Sequence, residues 1–193
     1  MKTHRFTFDA GSLRRLAGLI GGTWQRFGGT SMGTDLLQPF TVFLSTTHGE
    51  VTVNSVVDFF DIVGEAYETA IAELEVDDAA VALEQDTNSD RVFTLNAGQE
   101  VVDVLVVRDT LDEVRGSERT WRIVKDVGVI VILERGAIAV TQEDLHDEML
   151  VDSVADASDE LAIPRVESRW EDRPGLEYGR SRALIPAAEL LER

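Results

Sequence analysis

The stretch that decides the fold is residues 120–141, TWRIVKDVGVIVILERGAIAVT, the most apolar run in the chain. Apolar side chains alternate along it with polar or smaller ones, which is typical of β-strands. Gly128 and Gly136 each follow charged residues, an arrangement typical of tight turns. The pattern therefore predicts three short antiparallel strands. The middle strand, residues 129–133, is apolar on both faces and is expected to be buried on both.

Two further hairpins are predicted before this run. Residues 40–45 and 51–57 alternate in hydropathy and are separated by a short turn segment that contains His48. We interpret His48 as a turn residue rather than a catalytic one. The second hairpin joins residues 91–95 to residues 101–108 through an Asn-Ala-Gly turn.

Other segments predict helices or stay ambiguous. Residues 12–27 carry apolar side chains at spacings of three and four, which predicts a helix with Ser12 as the expected N-cap. Gly18, Gly21 and Gly22 weaken this helix, and a helix that breaks near Gly21 is the alternative. That apolar face comprises Leu13, Leu16, Ile20, Trp24 and Phe27. Residues 143–154 and 187–191 also predict helices. Residues 58–76 fit either a helix or a strand, and the strand is favoured after Tyr67.

Together these elements predict one α+β domain over residues 1–193, with a mostly antiparallel sheet between about residues 40 and 141. An N-terminal helix and one or two further helices are expected to cover the sheet. The absence of Cys excludes disulfides and thiolate metal sites. No apolar run reaches membrane-spanning length and no signal peptide is evident, so a cytoplasmic location is expected.

The charge is strongly negative and unevenly distributed. The net charge is −18, from 36 acidic and 18 basic residues. Residues 1–33 carry five basic and one acidic residue (+4), residues 34–164 carry seven and 29 (−22), and residues 165–193 carry six of each. These ranges define a basic helical segment, an acidic sheet-rich body and an Arg-rich tail. An acidic body repels nucleic acid and anionic membranes and attracts basic partners. Adaptation to salt would also account for it.

Two sets of residues are weak catalytic or metal-binding candidates. Ser31 lies in a Gly-x-Ser-x-Gly match at residues 29–33, but the expected strand before it and helix after it are missing. His146 lies among carboxylates, of which Glu143 and Asp147 would share a helical face with it and could bind a divalent metal. A turn and a solvated helix face are the simpler interpretations.

The candidate interaction residues combine Arg with aromatic side chains, which suits contacts with a partner. They are Arg14, Arg15, Trp24, Phe27, Arg169, Trp170 and Arg173. In the tail, acidic residues are interleaved with the Arg residues, so pairing with the acidic body of the same chain is favoured. No phosphate-binding loop, dinucleotide fingerprint or zinc spacing is present, and no cofactor is predicted.

The sequence therefore favours a non-enzymatic interaction or binding protein that associates with a protein partner or with itself. Two alternatives stay open. One is a small hydrolase that uses Ser31 or the His146 cluster. The other is an acidic nucleic-acid mimic that binds a basic partner, since direct nucleic-acid binding is disfavoured by charge.

Overall fold

The computed structural model describes residues 2–30, 41–62, 64–75, 90–142, 149–156, 159–163 and 174–192. These residues form mostly antiparallel β-structure in two sheets, with two helices. The strands are β1 (Lys2–Phe6), β2 (Trp24–Thr30), β3 (Thr41–Thr46), β4 (Gly49–Ile62), β5 (Glu65–Glu75), β6 (Asp90–Phe93), β7 (Val101–Arg115), β8 (Glu118–Leu133), β9 (Ala137–Gln142), β10 (Met149–Val154) and β11 (Glu177–Pro186). The helices are α1 (Ala10–Gly18) and α2 (Ala187–Leu191).

The first sheet is built around the long strand β8. Its order is β10-β9-β8-β7-β11, and β1 also pairs with β8. Strand β9 pairs antiparallel with the second half of β8, from Gly128 to Ile132. Strand β1 pairs parallel with the first half, where Phe6 lies beside Lys125. One edge of β8 is therefore shared by two strands.

The second sheet has the order β5-β4-β3-β2-β6, so β5 and β6 are its edge strands. The two sheets enclose a common core with α1, to which β8 contributes Val129 and Val131 and α1 contributes Leu13 and Leu16. Each large apolar side chain buried in this way contributes on the order of 1.5–3 kcal/mol. A smaller, separate cluster includes Phe60, Trp121 and Ile123.

The predicted meander at residues 120–141 is half right. The turn at residues 134–136 is confirmed, because β8 ends at Leu133 and β9 begins at Ala137. The turn predicted around Gly128 is wrong, since β8 continues through it. A Cβ on Gly128 would lie 2.2 Å from the carbonyl oxygen of Val140, so this glycine lets β9 approach β8 closely.

The predicted helices are corrected in two places. The N-terminal helix ends at Gly18, and its N-cap is Asp9, whose side chain accepts the N–H of Ser12 at 2.7 Å. Residues 149–154 form strand β10 instead of the second half of a helix, while residues 143–148 lie outside the described residues. Helix α2 is confirmed. The described fold is thus mostly β rather than α+β with several helices.

The pairing of the hairpins also differs in part from the prediction. The β3–β4 hairpin is confirmed, and the ambiguous segment 58–76 is strand in its described part, split between β4 and β5. Strands β6 and β7 are joined by the predicted turn, where Asn96 has a φ of 61°. They belong to different sheets, however, because β6 pairs with β2. Residues 109–115 extend β7 beyond the predicted strand, which covers only residues 101–108.

Two of the three compositional segments are also more structured than predicted. Residues 1–33 contain β1, α1 and β2, so this segment is only partly helical. The described part of the Arg-rich tail contains β11 and α2. On β11, Arg182 forms a two-point ion pair with Asp109 of the acidic body, with both distances 2.6 Å. Pairing within the chain, as favoured from the sequence, therefore holds for Arg182.

Candidate functional site

The catalytic and metal-binding candidates from the sequence lie outside the described residues. They are Ser31, Glu143, His146 and Asp147. Within the part of the chain that the structure describes, no three His, Cys, Asp or Glu side chains are grouped so as to hold a metal. His48 is described and lies in the turn between β3 and β4. Its Nδ1 is 3.1 Å from the carbonyl oxygen of Ile20, which anchors the hairpin on the loop after α1.

The described interaction candidates divide into exposed and buried residues. Arg14 and Arg15 are exposed on α1. Trp24 and Phe27 lie on β2 in the core, and the Trp24 Nε1–H donates to the carbonyl oxygen of Leu95 at 2.9 Å. The two aromatic side chains therefore stabilise the fold from inside and offer no surface to a partner. The other candidates, outside the described residues, are Arg169, Trp170 and Arg173.

A groove of about 360 Å³ lies between β1 with the start of α1 on one side and β5 on the other. Its size is at the lower end of the range found for ligand pockets. Its apolar surface comes from Phe6, Phe8, Ile71, Ala72 and Leu74. Its charged groups are Arg5, Asp9, Asp58 and Glu73. An apolar floor with a mostly acidic rim suits recognition of a ligand that is apolar on one side and basic on another.

Two lysine side chains connect the first sheet to the β4–β5 hairpin beside this groove. Lys2 Nζ of β1 donates to the carbonyl oxygen of Asp61 at 2.8 Å, beside the turn into β5. Lys125 lies beside Phe6 on β8. The Lys125 Nζ donates to the carbonyl oxygen of Ala70, in the middle of β5, at 3.2 Å. The groove lining on β5 begins at the next residue, Ile71.

An aromatic cluster joins β1 to β4 and β5. The Phe60 ring lies 5.1 Å from the ring of His4 and 5.9 Å from the ring of Phe6, measured between centroids. The ring of Tyr67 stacks 5.9 Å from that of Phe60. These contacts connect the two sheets, and Phe6 also lines the groove.

The edge of β5 presents backbone hydrogen-bonding groups to the groove. In an antiparallel strand, successive residues direct their N–H and C=O groups to opposite edges. The carbonyl of Ala70 points away from β4, because it accepts the bond from Lys125 of the other sheet. Ala72 and Leu74 share this orientation and line the groove. Among the described residues, no hydrogen-bond partner exists for their outward N–H and C=O groups.

The acidic rim comprises three carboxylates, those of Asp9, Asp58 and Glu73. Asp9 accepts the backbone N–H of Ser12, and this hydrogen bond is the main reason that the pKa of Asp9 lies below its ordinary value of 3.8. Asp58 lies opposite Thr69 in the β4–β5 pair, and Glu73 lies opposite Asn54. Against these three carboxylates the lining supplies one guanidinium, that of Arg5.

The described lining of the groove contains the hydroxyl groups of Thr7 and Ser12, and the side chain of Ser12 hydrogen-bonds the carboxylate of Asp9. Sequence reasoning missed this site because it depends on β1 meeting β5, more than sixty residues further along the chain. The one available signal was the alternation after Tyr67, which places glutamates along a predicted strand.

No family model matches the chain, and comparison with curated proteins and with solved structures finds no significant match. Neither helix in the described part of the chain is long and apolar enough to cross a membrane.

Proposed function

We propose that this protein is a binding protein that holds an extended segment of a partner polypeptide in the groove between β1 and β5. The segment adds to the edge of β5 as a further β-strand, a mode of recognition in which backbone hydrogen bonds supply affinity and side-chain contacts supply specificity. The observation that carries the proposal is the edge of β5, which faces an open groove instead of another described strand.

The burial of this edge strengthens the argument. Ala72 and Leu74 are only 4% and 8% exposed, yet their outward backbone groups have no hydrogen-bond partner among the described residues. Buried N–H and C=O groups in folded proteins are nearly always paired, because an unpaired one loses its bonds to water without replacement. An added strand would supply those partners.

The groove also offers side-chain contacts for such a strand. Ile71 lines the groove, as do the aromatic rings of Phe6 and Phe8 on the opposite wall. Four residues of an added antiparallel strand would extend about 14 Å, at roughly 3.4 Å per residue. This length corresponds to the part of β5 from Ile71 to Leu74 that lines the groove.

The test is an NMR titration of the ¹⁵N-labelled protein with short synthetic peptides of alternating Val and polar residues, in basic, neutral and acidic forms. We expect at least one form to shift the amide resonances of Ala72 and Leu74 and to slow their exchange with solvent. Ala72→Pro removes one groove-facing N–H and is expected to abolish binding while leaving the ladder to β4 intact.

The matched control is Ala66→Pro, on the same edge of β5 but outside the groove lining. It is expected to bind like the wild type. Circular dichroism and thermal melts of both variants establish that they fold. The proposal is wrong if no peptide shifts the two amides, or if a folded Ala72→Pro variant binds as tightly as Ala66→Pro.

A further inference from the structure

We infer that the segment held in the groove is basic, with a Lys or Arg side chain two positions from an apolar residue. The inference rests on the proposed strand addition and adds the chemistry of the partner. It also excludes a second copy of this chain as the occupant.

The two strands on the β5 side of the groove carry an unbalanced charge. On this side the described lining carries the carboxylates of Asp58 and Glu73 and neither Lys nor Arg. The opposite wall adds the carboxylate of Asp9 and the guanidinium of Arg5. A cleft lined by one sign of charge concentrates ligands of the other sign and speeds their association. An incoming basic segment is therefore favoured over a neutral or acidic one.

The position of Glu73 sets the pattern in the partner. Glu73 and Ile71 both line the groove and share a face of β5. Alternate residues of a strand are roughly 7 Å apart. On the other side of Ile71, Lys125 already bonds Thr69 and Ala70. An added strand that places an apolar residue beside Ile71 thus places a basic residue, two positions away, beside Glu73.

A second copy does not fit this groove. An antiparallel pair of β5 strands would bring Glu68 and Glu73 of one copy near the glutamates of the other, because β5 has no basic residue to intervene. Like charges directly across a strand pair are destabilising. A net charge of −18 on each chain adds repulsion at longer range.

The probes are three blocked peptides that differ only in charge. Their central five residues are Lys-Ser-Val-Ser-Lys, Gln-Ser-Val-Ser-Gln and Glu-Ser-Val-Ser-Glu. At low salt we expect the Lys peptide to bind about tenfold more tightly than the Gln peptide, and the Glu peptide to bind least. The difference between Lys and Gln is expected to shrink at high salt, since the carboxylates are at a solvated rim.

Reversing the charge of single glutamates then tests whether the preference for the Lys peptide arises in the groove. Glu73→Lys is expected to weaken binding of the Lys peptide about tenfold and to strengthen binding of the Glu peptide. Glu118→Lys is the matched control, because it makes the same charge change at the exposed β7–β8 turn, away from the groove. It is expected to leave the order of the three peptides unchanged.

Three outcomes would overturn the inference. If the Gln peptide binds as tightly as the Lys peptide and Ala72→Pro still abolishes binding, strand addition stands and the basic partner is wrong. If Glu118→Lys weakens binding as much as Glu73→Lys, the attraction is general and does not depend on the groove. If sedimentation shows a dimer that Ala72→Pro dissociates, a second copy is the occupant. Failure of all three peptides to reach the groove would instead contradict the proposed function itself.

Discussion

Arg108 and Asp126 form a two-point ion pair across β7 and β8, with Nε 2.6 Å from Oδ1 and Nη2 2.9 Å from Oδ2. The side chain of Asp126 is fully buried, and its Oδ2 also accepts the backbone N–H of Phe8 at 2.8 Å. Asp126 lies between the part of β8 that pairs with β1 and the part that pairs with β9. One carboxylate therefore ties two central strands to the N-terminal segment that forms a wall of the groove.

Replacing Asp126 is expected to destabilise the fold strongly. Asp126→Ala leaves the guanidinium of Arg108, which is 17% exposed, without its charge partner and the N–H of Phe8 without an acceptor. Removing one partner of a buried ion pair costs about 3–5 kcal/mol. Urea unfolding checks the value. Glu118→Ala at an exposed turn is the control, with an expected change within about 0.5 kcal/mol. If Asp126→Ala lowers the free energy of unfolding by less than about 1 kcal/mol, water must replace the carboxylate as the partner of both Arg108 and the Phe8 N–H.

A methyl group at Gly128 is expected to push β9 away from β8. The added Cβ would lie 2.2 Å from the Val140 carbonyl oxygen and 2.7 Å from the Thr141 Cα, which are backbone atoms and cannot rotate aside. Overpacking of this kind costs typically about 1–3 kcal/mol. Gly18→Ala is the control, since nothing lies within 4 Å of its Cβ position and Ala favours a helix. In thermal unfolding experiments, the melting temperature is expected to fall for Gly128→Ala and to stay unchanged or rise for Gly18→Ala.

Gly128 also shows where sequence reasoning succeeds and where it does not. Alternating hydropathy correctly identified strands in residues 120–141, because a half-buried strand imposes a period of two on the sequence. A glycine in that pattern has two physical uses, a tight turn or the close approach of another backbone. Whether Gly128 forms a turn or admits another backbone depends on the position of β9. The residues around Gly128 in the sequence therefore cannot distinguish these two uses. The same holds for β6 and β7, whose turn was predicted but whose partners are set by the tertiary fold.

The N-terminal face shows a different kind of error. Leu13, Leu16, Trp24 and Phe27 were correctly recognised as a set that packs together, and all four are in the core. The spacing of three and four favours one helix over residues 12–27, whereas α1 ends at Gly18 and Trp24 begins β2. The glycines at 18, 21 and 22 lower helix propensity and support the alternative, a helix that breaks near Gly21. Gly21 has a φ of 77°, which a helix cannot contain.

Truncation of Trp24 separates its packing from its hydrogen bond. Trp24 is fully buried, and its Nε1–H donates to the Leu95 carbonyl oxygen. Trp24→Ala is expected to cost about 3–5 kcal/mol, because a large cavity remains in the core. Trp24→Phe keeps most of the apolar contact and loses the bond, so a smaller cost is expected. The double variant Arg14→Glu, Arg15→Glu changes only exposed side chains and is expected to cost much less. Denaturant midpoints measure these costs. A lower midpoint for the double variant than for Trp24→Ala would contradict the prediction.

His4 is expected to make stability fall with acidification below neutral pH. Burial lowers the pKa of His4 below its ordinary value of 6.5, and the nearby charge of Lys2 lowers it further, while Asp61 opposes both. The folded protein therefore disfavours the protonated ring. The contribution of the neutral His4 ring to the free energy of unfolding is complete above pH 6.5 and is lost as the pH falls below that value. His4→Phe keeps the ring contact with Phe60 and removes the titration. The stability of wild type relative to this variant is expected to drop between about pH 7.5 and pH 5. A constant difference over that range would contradict the prediction.

The direction of a bound peptide follows from the edge strand β5. A strand added to this edge runs either antiparallel or parallel to β5. Antiparallel pairing is slightly more stable per residue and is therefore expected. The amino end of the peptide then lies at the Leu74 end of the groove, near the start of α1. A nitroxide at the amino end of the Lys peptide is expected to broaden the amide resonances of Ser12 and Leu74 more than that of Ala70, and a nitroxide at the carboxyl end is expected to do the reverse. The opposite pattern would establish parallel addition, and equal broadening by both labels would show that the peptide lacks a fixed direction.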